Sequence, residues 1–310
     1  MVKRIGLLYG MERSFPAALT ETINARTNGD VVCEPVSIGA QRVDVRPDYD
    51  VILDRISHEV PFYRTFLKQC CHAGVQVVNN PFWFAADDKY FGNLVAMDAG
   101  VAVPRSVLLP SKDHPTGTEA TSFTNLRFPL NWDEVFSYLQ FPIFIKPSDG
   151  GGWKHVYRCE NPEELFEAYQ KSDQICMMAQ EEIVFSEYFR CYGLGREHVH
   201  IMRYDPKAPH HERYVQDGDP IDPELYAKLE RDVLALCNGL GYDFNTVELA
   251  MRDGVPYAID FTNPCPDAER ASVGDDNFEW IVENSANFLI DRALNPRPFE
   301  ITGDWPENRR

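Results

Sequence analysis

Phe141-Pro142-Ile143-Phe144-Ile145-Lys146-Pro147-Ser148-Asp149-Gly150-Gly151-Gly152-Trp153 is the stretch on which the reading of this chain turns. A strand over 143–146 delivers a lysine, and a flexible turn follows at once. Three consecutive glycines reach φ > 0 without steric cost and let backbone N–H groups approach a polyphosphate. The GxxxxGK[ST] pattern of a P-loop is absent. Alone, the segment reads equally well as a glycine-rich hairpin with an exposed lysine.

Downstream, Val247-Glu248-Leu249-Ala250-Met251-Arg252-Asp253-Gly254-Val255-Pro256-Tyr257-Ala258-Ile259-Asp260-Phe261-Thr262-Asn263-Pro264 supplies a second element. Asp253-Gly254 is a hairpin signal between two strand-like runs, 246–251 and 257–261. Antiparallel pairing across it brings Glu248 and Asp260 to neighbouring positions. An acid inside the apolar run Tyr257-Ala258-Ile259-Asp260-Phe261 needs a partner or a metal. Two carboxylates with the Asn263 amide oxygen nearby are hard donors, suited to Mg²⁺ shared with substrate phosphates.

Upstream, residues 1–110 alternate strand-like and helix-like stretches, the pattern of a parallel α/β layer. Strands are expected at 5–9, 49–53 and 75–78, and helices at 16–25, 61–73 and 85–99. Gly74 and Gly100 close the last two helices. Residues 111–131, rich in Ser, Thr, Pro and Asn, read as a loop or hinge. Beyond it come a helix at 132–139, a strand at 155–158, and a helix opened by Asn161-Pro162. Strands follow at 177–180, 190–193 and 197–205, then helices at 223–240 and 277–294. The expected division is an N-terminal α/β part (1–110), a small lid (111–187) and a larger C-terminal α+β part (188–310).

Composition narrows the function. Lys plus Arg total 30 against 48 Asp plus Glu, a formal charge of -18 over 310 residues. Such a field repels nucleic-acid backbones and anionic membranes, so neither is expected as a partner. A phosphate ligand must be gathered by particular cations and N–H groups. The eight cysteines show no CxxC pairing and sit among apolar neighbours, which predicts free thiols in a reduced, cytoplasmic setting. The first residues form an apolar run too short for a signal or a membrane span. The first strand-turn lacks GxGxxG, against a dehydrogenase.

On these residues the chain resembles the ATP-grasp superfamily, over roughly 1–295 and in the same order. The likeness is closest to D-alanine–D-alanine ligase, glutathione synthetase and the ligases that add glutamate to protein tails. Asp88-Lys89 ahead of Gly100-Val101-Ala102-Val103-Pro104 matches that family's DK helix and its exit. Pro142 to Gly152 matches its lysine strand and glycine loop, and Gln180-Glu181-Glu182-Ile183-Val184-Phe185-Ser186-Glu187 its adenine connector and ribose acid. Glu248, Asp260 and Asn263 match its metal motif. One departure stands out: the family's asparagine lies two residues after the second acid, where this chain has Thr262. A bulge that carries Asn263 to the metal, or an indirect role for Thr262, would reconcile them.

The resemblance implies an ATP-grasp fold with a parallel α/β domain ahead of it, and a carboxylate–amine or carboxylate–thiol ligase using ATP and Mg²⁺, with Mn²⁺ as substitute. Lys89, Lys146, Gly150, Gly151 and Gly152 would meet the triphosphate. Gln180, Glu181 and Ile183 would meet adenine, and Glu187 the ribose. Glu248, Asp260 and Asn263 would hold metal, and Arg203 and Arg190 would stabilise the transferring and tetrahedral charge. The substrates would be a small carboxylate and an amine, such as an amino acid or peptide, and the assembly a homodimer. A kinase on the same fold and a non-catalytic ATP-binding module are the alternatives. Arg55 (with Asp54 or Glu59 as ion-pair partners), His58 and Arg270 are candidates for the acceptor side. His198 with His200, His210-His211 and the cluster Phe82-Trp83-Phe84 read as structural or solvated.

Overall fold

The computed structural model describes residues 2–82, 88–151, 153–216 and 218–298. Three four-stranded sheets organise them. The first is wholly parallel, in the order β2-β1-β3-β4, from β1 (Lys3–Leu8), β2 (Val31–Pro35), β3 (Val51–Asp54) and β4 (Gln76–Val78). Each of these strands is a short apolar run, as expected where helices cover both faces. Helix α1 (Ser14–Thr27) and the long final helix α8 (Asp275–Leu294) cover one face, and α2 (Pro61–His72) the other.

The middle sheet is antiparallel and runs β5-β8-β6-β7, from β5 (Ser106–Leu109), β6 (Ile143–Pro147), β7 (Tyr157–Cys159) and β8 (Met177–Glu181). Helices α4 (Trp132–Leu139) and α5 (Pro162–Gln170) pack on it through Leu139, Leu165, Ala168 and Tyr169. Asn131 and Asn161 cap these helices by accepting from the N–H groups of Glu134 and Glu164. Helix α3 (Lys89–Asp98) precedes this sheet, capped by Asp88, which accepts from the N–H of Phe91.

The last sheet runs β10-β9-β11-β12, from β9 (Glu187–Leu194), β10 (His198–Arg203), β11 (Phe244–Arg252) and β12 (Val255–Asn263). Helix α6 (Pro223–Leu240) packs on one face with Leu229, Val233, Leu236 and Leu240 inward. Its start is fixed by Asp222, which accepts from Glu224 and Leu225 N–H, and its end by Gly241 at φ 73°. The other face shares one core with α1, α8 and the first sheet. The short helix α7 (Arg270–Val273) adjoins α8.

At the β11–β12 turn both Asp253 (φ 53°) and Gly254 (φ 73°) are left-handed, as a two-residue type I′ hairpin requires. The register beyond it is irregular: Thr246 faces Asn263, Glu248 faces Asp260, and Leu249 faces Ala258. From Leu249 back to Thr246, three steps on β11 therefore match five on β12: one extra residue is Ile259 and the other lies within Phe261–Thr262. The outer edge of β12 is joined to the middle sheet by the segment entering β5, where Ala258 N–H donates to the Ala102 carbonyl (2.8 Å).

The structure adds two strands that the sequence reading left out, β2 and β5. All eight cysteines are free thiols. Among the described residues no helix is long and apolar enough to cross a membrane.

Candidate active site

Where the middle and last sheets face each other, α3, β6, β11 and β12 each contribute a charged side chain. Lys89 opens α3, and its Nζ lies 3.3 Å from Asp260 Oδ1. Its backbone N–H donates to the Ser148 carbonyl (2.7 Å), which ties the helix start to the turn after β6. Lys146 donates to Gln180 Oε1 (2.9 Å), and Gln180 in turn donates to Ser106 Oγ (3.0 Å). Burial pushes the Lys146 amine down to about 8, with nearby Lys89 adding to the effect and Asp260 and Glu248 opposing it.

The two acids behave differently. Burial dominates at Glu248 and raises its pKa, although Arg190 pulls the other way. Burial also acts against the charge of Asp260, but Lys89, Lys146 and Arg190 together outweigh it and hold the carboxyl below its usual range. The Asp260 side chain is still 47% exposed, so its ion pair with Lys89 is screened by water. Glu248 retains 20%.

Two residues of β9, on the face shared with Glu248, hold that carboxylate. Tyr188 Oη donates to Glu248 Oε2 at 2.6 Å, and Arg190 Nη1 lies 3.4 Å from Oε1. Arg190 also donates to Tyr204 Oη (3.3 Å), and the rings of Tyr204 and Tyr214 lie 5.3 and 5.9 Å from its guanidinium carbon. With its amide turned to the orientation that its neighbours satisfy, Asn263 accepts from Arg190 Nη2 (3.1 Å) and Thr246 Oγ1 (2.9 Å), and donates to the Cys265 carbonyl (3.1 Å). The neighbouring Thr262 presents its methyl toward Gly92 of α3 instead. The bulge thus sets Asn263, not Thr262, on the side of Glu248.

Not every expected residue joins this cluster. Arg203 is opposite Phe189 in the β9–β10 register, one position out of phase with Arg190, and its side chain leaves from the other face of the sheet. There it pairs with Glu187 (2.5 Å) and lies over the Phe189 ring. Glu181 is buried between Arg105 (3.1 Å) and Arg252 (3.5 Å), and its N–H donates to the Arg105 carbonyl. Burial alone would raise the Glu181 carboxyl, but the N–H and side chain of Arg105, with Arg252, hold it down. Ile183 is buried just after β8. Gly150 takes φ 78°, and a side chain added at Gly150 or Gly151 would meet nothing within 4 Å. Gly152 lies outside the described residues.

On the N-terminal side, Arg55 is 3% exposed and its pairing differs from expectation. It bonds Glu12 (2.8 Å) and the Pro266 carbonyl, between the rings of Phe15 and Phe244. Asp54 is unavailable to it because it accepts from Ile56 N–H, Ser57 N–H and the Ser57 hydroxyl. His58 lies 3.9 Å from Glu59. Arg270 pairs with Asp275 over the Phe278 ring. His200 is stacked on Trp280 (4.7 Å) and bonded to Asn277, and burial lowers its pKa; His198 is exposed. Trp83 and Phe84 lie outside the described residues. Among the described residues no group of three or more His, Cys, Asp or Glu side chains is placed to hold a metal unaided.

Tyr188, Tyr204 and Tyr214 are the residues that sequence reasoning missed. Tyr188 carried a usable signal, since it stands two positions from Arg190 and so faces the same way.

No protein-family model matches the sequence, and no curated protein matches it. Solved structures do. D-alanine–D-alanine ligase from Bacillus anthracis, complexed with ATP, superposes with TM-score 0.66 at 17% identity, covering 95% of this chain and 96% of that one. VanG D-Ala:D-Ser ligase from Enterococcus faecalis gives 0.65 at 16% identity, over 94% and 99% of the two chains. A RimK domain ATP-grasp protein from Sphaerobacter thermophilus gives 0.65 at 15%, over 94% and 100%. Likeness of this extent at such low identity establishes the architecture: the chain has the ATP-grasp fold.

Proposed function

We propose that this chain is an ATP- and Mg²⁺-dependent ligase that joins a small carboxylate to an amine or thiol through an acyl phosphate. The observation that carries the reading is the convergence of Lys89 and Lys146 on Asp260, with Glu248 beside it. Two cations and two acids drawn from four elements match a polyphosphate shared with a divalent metal. The division into 1–110, 111–187 and 188–310 belongs to the same proposal.

Glu248 and Asp260, opposite each other on adjacent strands, and the Asn263 amide are all hard oxygen donors. That set would suit Mg²⁺, a hard cation that prefers oxygen donors. When bound, the metal neutralises charge on the β- and γ-phosphates. Lys89 and Lys146 hold phosphate oxygens, and Gly150 and Gly151 bring backbone N–H groups over them. Adenine lies against Gln180, Glu181 and Ile183. Ribose hydroxyls at Glu187 compete with its pair to Arg203, and that guanidinium, on the opposite face of the sheet from Asp260, takes no part in holding the triphosphate. Arg190, already committed to Glu248 and Asn263, acts chiefly by holding those ligands.

In the reaction, a substrate carboxylate oxygen attacks the γ-phosphorus and ADP leaves. The amine nitrogen or thiol sulfur then attacks the acyl carbon, phosphate leaves, and the nucleophile gives up its proton. Cationic side chains around the γ-phosphate stabilise the first step, and closure of the glycine turn keeps water from the acyl phosphate.

The test is a phosphate-release screen over amino acids and short peptides, each offered with a pool of amines and thiols. ADP and phosphate should appear only when both partners are present. A stable phosphorylated product formed without a nucleophile would make the protein a kinase. Calorimetry with saturating Mg²⁺ that found no adenine-nucleotide affinity would overturn the proposal.

A further inference from the structure

We infer that Tyr188 is a positioning residue, whose hydroxyl fixes the Glu248 carboxylate in the orientation that binds the divalent metal. The inference rests on the metal role proposed above for Glu248, and it concerns a residue outside every motif quoted from the sequence.

Three observations support it. The Tyr188 hydroxyl donates to Glu248 Oε2 at 2.6 Å, shorter than the 3.4 Å approach of Arg190 to Oε1, so Tyr188 is the tighter of the two holds. The Tyr188 ring is itself confined, 8% exposed, edge-on to Phe185 (5.0 Å) and tilted against Tyr204 (6.1 Å). A confined ring places its hydroxyl at one point. Finally, Tyr188 and Arg190 leave the same face of β9 opposite β11, so together they restrain both oxygens of one carboxylate. Glu248 without such restraint has three rotatable bonds and a nearby like charge, Asp260, to turn from. Groups that orient a ligand in this way carry much of a site's metal affinity.

The test uses Mn²⁺ titrated by calorimetry into the full chain saturated with ADP. Tyr188→Phe keeps the ring and its packing and removes only the donor. We expect it to weaken Mn²⁺ binding about 10- to 100-fold, with ADP affinity at saturating metal unchanged and turnover recovered at high Mg²⁺. In a Glu248→Ala background, which leaves no oxygen for Tyr188 to hold, the same substitution should cost nothing further. Any general loosening of the fold would instead weaken both backgrounds alike. Wild-type affinity in Tyr188→Phe, or an equal loss in the Glu248→Ala background, would overturn the positioning role and leave the nucleotide reading standing. A wild-type chain that bound neither ADP nor Mn²⁺ would overturn both.

Discussion

Lys89 and Asp260, 171 residues apart in the chain, meet at 3.3 Å and join the first turn of a helix to the edge strand of a sheet. Around that contact stand Lys146, Glu248 and Arg190, each electrostatically coupled to it. The contact is half open to water, so little of the fold's stability hangs on it. Its placement suits a ligand that carries negative charge to the lysines and a metal to the acids.

Replacing Asp260 with Asn separates chemistry from folding. The amide keeps the shape and removes the charge, at a position whose ion pair is screened. Phosphate release should fall by more than about a hundredfold, while the melting temperature stays within a few degrees. Undiminished turnover would remove Asp260 from the proposed metal site.

Lys146 predicts a pH dependence. Burial lowers its pKa from 10.5 to about 8 in the folded chain. Below that value the amine is charged whether folded or not, and its burial cost is fully present. Between about 8 and 10.5 the unfolded chain binds more protons, so this group makes stability rise with pH. Phosphate needs the charged form, so kcat/KM for ATP should fall with unit slope above pH about 8. In Lys146→Arg that limb should move to higher pH, since a guanidinium stays charged. A flat wild-type profile to pH about 10 would contradict the assignment.

Arg190 serves both Glu248 and Asn263, and its loss should be felt in stability first. Arg190→Ala leaves a largely buried carboxylate with Tyr188 as its remaining donor and opens space beside Tyr204 and Tyr214. A cost of about 3 kcal/mol is expected, seen as a fall of roughly 5–10 °C in apparent melting temperature. An unchanged melting curve would show that the pair carries no net stability.

Glu269 caps α1 from the far end of the sequence. Its carboxylate accepts from Arg13 N–H (2.8 Å), Ser14 N–H (3.1 Å) and the Ser14 hydroxyl (3.0 Å), whereas α1 has no side-chain cap from its own Arg13. Those bonds hold its pKa down against the effect of burial. Glu269→Ala should cost about 1 kcal/mol. Hydrogen exchange should speed up in the first turn of α1 and leave the middle sheet unaffected. Unaltered exchange at 14–17 would dismiss the cap.

The sequence made the punctuated elements legible. Asn161-Pro162 opened α5, and Asp253-Gly254 turned β11 into β12, because capping and left-handed backbone depend on local chemistry. Strands β2 and β5 escaped. Val31–Pro35 is too short to show a period, and Ser106–Leu109 follows Pro104 and runs into the Ser/Thr/Pro-rich stretch. The acids and lysines of the site were legible by type. Their partners were not, because Tyr204 and Tyr214 reach Arg190 through strand pairing rather than spacing. Arg203 was grouped with Arg190, yet counting pleats from their paired strands would have parted them: Arg190 faces Met202, so the next residue points away.

In a regular strand, side chains three apart point to opposite sides, and those two apart point the same way. The additional residue at Phe261–Thr262 cancels that rule, so Asp260 and Asn263 both keep company with residues of one row on β11. Acid-x-amide in a straight strand and acid-x-x-amide in a kinked one are thus two spellings of a single arrangement. Deleting Thr262 together with its kink would return the shorter spelling with the amide on the same side. Gaining or losing one residue here need not scramble the donors, provided the backbone takes up the slack, and a pattern that insists on fixed spacing would pass over this chain.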